Sequence, residues 1–117
     1  MGFSQGGSIS IYCGLVDPDK FRSAIGELPE ELTSLNLISC RSLTDVSVLK
    51  GLKNLTTLDL RECESLTDLS ALTELKNLTS LSLRECEALT NLSALAGLKN
   101  LTSLNLSGCE SLRELDA

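Results

Sequence analysis

The residues of this chain that could do chemistry are few, and they recur. Cys40, Cys63, Cys86 and Cys109 stand 23 residues apart, and Cys13 is a fifth cysteine. A zinc site needs ligands that converge on a tetrahedral centre, and a row at one fixed interval does not converge. Disulfides between neighbours in such a row are disfavoured as well. Parallel strands hold equivalent Cβ atoms about 4.8 Å apart and side by side, whereas a disulfide wants roughly 3.8 Å. The row therefore reads as reduced, buried and structural, with each thiol a small apolar group and weak S–H donor. Cys13 extends it. Glu62 and Glu85 stand one interval apart and could be taken for paired catalytic carboxylates. Acid–base work would need one of them desolvated, and an open surface does not do that. The chain has no His, which removes Ser-His-Asp and Cys-His arrangements. Neither GxxxxGK[ST] nor GxGxxG occurs. No catalysis, cofactor or metal is expected.

The interval belongs to the whole chain. Leu55 to Asn77 reads LTTLDLRECESLTDLSALTELKN, and Leu78 to Asn100 repeats it with 17 of 23 positions identical. Leu32 to Asn54 is an earlier copy, and Leu101 to Ala117 is a partial later one. A fixed period of this length means stacked copies of one small unit. Within LxxLxL the last two leucines share one face of a short strand. These pairs are Leu35/Leu37, Leu58/Leu60, Leu81/Leu83 and Leu104/Leu106. One such strand cannot bury that face alone, but parallel strands stacked about 4.8 Å apart can. In the second half Leu66, Leu69, Leu72 and Leu75 fall three apart, a spacing that suits 3₁₀ turns or a very short helix. The expected fold is an α/β solenoid with a parallel sheet on its concave face and tight turns on its convex side.

A chain of 117 residues is one domain. Its net charge of −6 argues against nucleic acid or an anionic membrane surface as partner, since both attract Lys and Arg. No apolar run reaches the roughly 20 residues of a membrane span. Residues 1–7 read as a flexible tail without the features of a signal peptide. Residues 8–31 read as an N-terminal strand-helix cap. Its strand is SISIYC, alternating from Ser8 to Cys13, and Ile9-Ser10-Ile11 matches Leu35-Asn36-Leu37 at a spacing of 26. Asp17-Pro18 starts a helix that runs to about Ile25. Residues 32–117 are the repeats 32–54, 55–77, 78–100 and the partial 101–117. The last has no capping helix. Either its strand is a tolerable end, or another copy covers it, or the array continues.

Five buried thiols point to a reducing compartment, and a cytoplasmic location is expected. Against this, Asn54, Asn77, Asn91, Asn100 and Asn105 each begin an N-x-S/T sequon. Three of these are the repeat's own KNLT, one coincidence copied.

The pattern LxxLxLxxCxxLTxLSxLxxLKN over residues 32–117 resembles that of leucine-rich repeats. LTDLSALTELKNLT is similar to internalin-type bacterial repeats, and CxSLTDLS to cysteine-bearing protozoan and plant repeats. In most leucine-rich repeats the cysteine position carries an inward Asn that hydrogen-bonds loop backbone. The resemblance implies a non-enzymatic scaffold that recognises a protein or peptide on the concave sheet. Strand alternation places one column there as Ser10, Asn36, Asp59, Ser82 and Asn105, and the next as Tyr12, Ile38, Arg61, Arg84 and Ser107. Tyr12, Ile38, Arg61 and Arg84 are the anchors expected to carry binding, because Tyr and Arg dominate interface hot spots. Asp59, Glu62 and Glu85 are placed to screen the two arginines. The alternative is a structural or self-associating unit, natural or designed. It would form a two-fold homodimer through an uncapped C-terminal edge of Leu104, Leu106, Leu112 and Leu115.

Overall fold

In the computed structural model the described residues are 7–12, 31–41 and 43–112, and the side chains at 12 and 48 lie outside them. Five strands form one parallel sheet in sequence order: β1 (Ser8–Tyr12), β2 (Ser34–Ile38), β3 (Thr57–Asp59), β4 (Ser80–Ser82) and β5 (Ser103–Asn105). Parallel order without a swap follows from the period, since each unit returns the chain to the same height one strand further on. Leu35, Leu58, Leu81 and Leu104 are register partners in turn, so the leucines make a ladder. Ile9 pairs with Leu35, which puts the first strand 26 residues ahead of the second. Gly7, assigned to the tail from sequence, is instead tied to the sheet. Its carbonyl accepts from Thr33 N at 3.2 Å and Ser34 N at 3.0 Å. The rest of the tail and the helix expected over residues 18–25 lie outside the described residues.

The backs of the repeats are 3₁₀ turns at Ser47–Leu49, Ser70–Glu74 and Ser93–Gly97. A recurring T-(D/N)-x-S sequence starts each of them locally. Asp45 Oδ1 accepts from Ser47 N at 3.0 Å, Asp68 Oδ1 from Ser70 N at 2.8 Å, and Asn91 Oδ1 from Ser93 N at 2.7 Å. Such Asx turns satisfy an amide that the short turn leaves without a partner. Leu66, Leu69, Leu72 and Leu75 all point into the core against Leu58 and Leu60. Each fully buried leucine contributes roughly 1.5–3 kcal/mol. The core thins toward its later end. Leu72 is fully buried, its counterpart Leu95 only partly, and Leu104 is 42% exposed where Leu81 is 1%.

Strands β2 to β5 each leave the sheet through a left-handed corner. Ser39, Glu62 and Glu85 have φ of 60°, 61° and 61°, and Gly108 occupies the same place at 78°. At the corner the amide turns toward the next repeat: Ser39 N reaches Arg61 O at 2.9 Å, and Glu62 N reaches Arg84 O at 2.8 Å. Three side chains accept this conformation, which ordinarily costs a non-glycine residue roughly 1–2 kcal/mol. A Cβ on Gly108 would in addition lie 2.8 Å from Glu85 Cγ and 3.3 Å from Glu85 Cα. Gly108→Ala should therefore lower stability by about 1–2 kcal/mol in urea unfolding. Gly97→Ala is the matched control, because a Cβ there meets nothing within 4 Å. It should be neutral or stabilise by up to about 1 kcal/mol. Equal effects of the two substitutions would contradict the corner assignment.

Candidate functional site

The sheet face turned away from the leucine core carries the first expected column in register. Ser10 pairs with Asn36, Asn36 with Asp59, Asp59 with Ser82, and Ser82 with Asn105. Asn36 Nδ2 donates to Ser10 Oγ at 3.0 Å, so that end of the row is tied down. At the other end Asn105 Oδ1 accepts from Ser107 N at 2.9 Å and Ser107 Oγ at 2.7 Å. In the second column Tyr12 lies opposite Ile38 by backbone register, and Ile38 is half-buried.

Arg61 and Arg84 differ although their positions are equivalent. Arg61 Nη2 pairs with Asp59 Oδ2 at 2.9 Å, and Arg84 is exposed with no ion pair among the described residues. The difference follows from the preceding column, which offers Arg61 a carboxylate at 59 and Arg84 only a hydroxyl at 82. The Asp59–Arg61 pair leaves Asp59 Oδ1 and Arg61 Nε buried and without hydrogen-bond partners. Glu62 turns toward Ser39, whose Oγ donates to Glu62 Oε1 at 2.6 Å. That bond, with help from Glu85, Arg41 and Arg61, holds the Glu62 carboxyl below the usual carboxylate range. On the opposite side, Ser70 N and the Ser70 side chain do the same for Asp68.

The cysteine row is present, with one correction. Cys63, Cys86 and Cys109 are free and buried. Cys40 is equally buried but is disulfide-bonded, and its partner sulfur lies outside the described residues. The spacing of equivalent Cβ atoms on parallel strands disfavours disulfides only between equivalent positions. Cys13 and Cys40 stand 27 apart in sequence where their strands are offset by 26, so they are not equivalent. Cys13 lies outside the described residues. The cytoplasmic expectation drew on five thiols, of which three are found free among the described residues. Those three thiols act as donors. Cys86 Sγ points to Leu60 O at 3.0 Å, Cys109 Sγ to Leu83 O at 2.9 Å, and Cys63 Sγ more loosely to Leu37 O at 3.8 Å. Contact with the Cys63 sulfur and burial push the Cys86 thiol up, and burial does the same at Cys109. Raised thiols hold their protons and are poor nucleophiles and ligands at neutral pH.

Sequence reasoning missed a second set of rungs. The KNLT segments, taken as copied sequons, carry hydrogen bonds from one repeat to the next. Asn77 Nδ2 donates to Lys53 O at 3.3 Å and Asn100 Nδ2 to Lys76 O at 3.2 Å. The hydroxyls of Thr56, Thr79 and Thr102 each donate to the carbonyl of the preceding Thr in the series. The signal available was the recurrence of both polar residues beside an inward leucine. Of the expected edge residues, Leu104 is exposed, Leu106 and Leu112 are partly buried against the core, and Leu115 lies outside the described residues.

A thiol reagent should find three slow cysteines in native protein, fast in denaturant, and a further pair only after reduction. Cys86→Ser should destabilise by roughly 1–3 kcal/mol, from a hydroxyl buried in a poorly matched site. Rapid native labelling of all three, or a stoichiometric metal, would contradict the structural role. The depressed carboxyls give a pH dependence with a definite sign. Glu62 and Asp68 contribute stability above their unfolded pKa values and lose it as pH falls through their lower folded values. Ser39→Ala should therefore flatten the acid side of the stability curve, and an unchanged curve would refute the Ser39–Glu62 contribution.

The family model for Zer-1-like leucine-rich repeats matches residues 46–116. An internalin from Listeria monocytogenes is similar in structure, with a TM-score of 0.63 and 36% identity over 74% of this chain and 24% of that one. Internalin C2 of the same organism gives a TM-score of 0.56 and 42% identity over 63% of this chain and 31% of that one. The chain thus spans a quarter to a third of the length of these internalins. No curated protein matches it. With its period, leucine ladder and parallel sheet, the chain belongs to the leucine-rich repeat family.

Proposed function

We propose that this chain is a non-enzymatic scaffold that binds a protein or peptide across the outer, concave face of its sheet. The family to which it belongs is generally one of protein-interaction scaffolds. The observation that carries the reading is the contrast between the two arginines. Arg84 stands exposed and without an ion pair among the described residues, one strand away from Arg61, which is held by Asp59. Around them the face is small and polar, with Thr57, Ser80, Ser82 and Asn105 leaving room for a backbone to lie close. An acidic group on a partner would meet Arg84 directly and compete with Asp59 for Arg61. An apolar anchor would sit toward Tyr12 and Ile38. The strand-helix unit at residues 8–31 serves as the N-terminal cap in this reading.

A second reading is favoured by Leu104, the one exposed large hydrophobic among the described residues. It makes the β5 edge an interaction surface, through which copies of the chain would associate. Light scattering across concentration tests that association.

For the first reading, peptides selected from a displayed library on the parent chain should bind Tyr12→Ala, Arg61→Ala and Arg84→Ala more weakly. At least one of the three should lose more than about 1 kcal/mol. Thr73→Ala on the convex side should leave affinity unchanged. If all three outer-face variants bind as tightly as the parent while the convex variant weakens, the assignment is wrong.

A further inference from the structure

The five Asn-x-Ser/Thr sequons, at Asn54, Asn77, Asn91, Asn100 and Asn105, are treated differently by the fold. A sugar joined to such a motif takes the Asn side-chain nitrogen, and a transferase that reads the motif must read its hydroxyl. In the KNLT sequons these groups are engaged between repeats. Asn77 Nδ2 donates to Lys53 O and Asn100 Nδ2 to Lys76 O. The hydroxyls of Thr56, Thr79 and Thr102 donate to Thr33 O, Thr56 O and Thr79 O, so the sequon of Asn54 has also spent its hydroxyl. At Asn105 the hydroxyl is spent too, on Asn105 Oδ1 at 2.7 Å, and the residue belongs to the outer column of the sheet. Asn91 differs on both counts. Its Oδ1 accepts from Ser93 N at 2.7 Å, and neither its Nδ2 nor Ser93 Oγ makes a hydrogen bond among the described residues. Both residues are exposed. The two earlier repeats carry Asp45 and Asp68 at this position, and each caps the same turn through Oδ1. The turn needs an acceptor oxygen, and the amide nitrogen of Asn91 is surplus to it.

A surface hollow of about 180 Å³ lies beside it, lined by Thr67, Asp68 and Ser70 of one repeat and Asn91, Ser93 and Ala94 of the next. We infer that Asn91 is an N-glycosylation site whose first sugar lies in this hollow. Ala94 offers an apolar patch to a pyranose ring face, and the Thr and Ser hydroxyls offer hydrogen bonds to its rim. A carboxylate has about four acceptor sites, so Asp68 keeps capacity beyond its bonds to Ser70. In the transfer, Nδ2 bonds to the anomeric carbon of a sugar-diphosphate donor. The carbon–oxygen bond to the diphosphate breaks, the diphosphate leaves with that electron pair, and an amide proton passes to a base of the transferase. Oδ1 is untouched, so the bond from Ser93 N survives attachment. At Asn77 and Asn100 a sugar would instead replace one N–H of an amide that ties two repeats together. The disulfide at Cys40 fits a chain made in an oxidising compartment, where such transfer takes place. The site lies at the backs of the repeats and leaves the outer sheet face open to the partner proposed above.

The test directs the full chain into the secretory pathway of cultured insect cells and recovers it from medium and lysate. Occupancy is read by mass spectrometry after enzymatic release of the glycan in heavy-oxygen water, which leaves each occupied Asn as a labelled Asp. Asn91 is expected to be occupied in most molecules, and severalfold more often than Asn77 or Asn100. Asn91→Asp should lose that glycan yet unfold in urea at the midpoint of the unglycosylated parent made in bacteria, because Asp68 already serves the same turn. Asn77→Asp should unfold earlier, since it loses the donor to Lys53 O. Hydrogen exchange at residues 67–70 should slow when the glycan is in place. A bare Asn91, or equal occupancy of Asn77 and Asn100, would overturn the inference. So would a lowered midpoint for Asn91→Asp, which would give Nδ2 a structural task. Unchanged exchange at residues 67–70 would overturn the seating of the sugar in the hollow.

Discussion

No repeat of this chain is finished without the next one. The carbonyl just ahead of each of the first four strands, at Gly7, Thr33, Thr56 and Thr79, concentrates that dependence, taking two amides and a hydroxyl from the following unit. A buried strand end would otherwise leave polar groups unsatisfied, at about 1–3 kcal/mol each. The leucines supply the larger driving force, but burial alone does not fix register. Sliding one strand past another by one residue would send the leucines to the outer face and break the Thr, Asn and Cys rungs together. Apolar ladder and polar rungs share one period, and this makes a single register the only one that satisfies both.

That constraint separates the molecule into repeated and variable surfaces. Everything facing the core or the neighbouring repeat is fixed by the 23-residue period: leucines, Thr, Asn, the thiols and the left-handed corner. The outer face of the sheet is not, and this is where the copies differ, with Asp59 against Ser82 and a paired Arg61 against an open Arg84. A scaffold of this kind can change its recognition surface residue by residue without touching what holds it together. The thiols illustrate the fixed side. They point at backbone carbonyls of the preceding repeat, as the inward Asn of related repeats does with loop backbone, and burial helps keep Cys86 and Cys109 protonated.

Much of this was legible in the amino-acid sequence because periodicity reports geometry directly. The parallel order, the leucine ladder and the outer column from Ser10 to Asn105 follow from alternation and a fixed interval. The offset of 26 at the first strand was visible too, in the match of Ile9 to Leu35. Three things were less legible, each for a physical reason. The KNLT rungs are bonds between repeats, and one copy read alone shows only a glycosylation motif. The corner is a backbone conformation that Ser39 and Glu62 do not advertise, and Gly108 alone hints at it. Cys40 breaks the rule derived for its neighbours, since the first unit has its own offset. The contrast between Arg61 and Arg84 needed coordinates, because it depends on which carboxylate each guanidinium reaches.

Stability is passed from repeat to repeat through the shared rungs and is greatest where the leucines are fully buried, in β3 and β4 rather than at the exposed Leu104 of β5. Native-state hydrogen exchange, residue by residue, tests this most directly. The account predicts the greatest protection at Thr57, Ser80 and their neighbours in β3 and β4, and a fall across Ser103 and Leu106 at β5. Uniform protection through all five strands, or a maximum at β5, would contradict it.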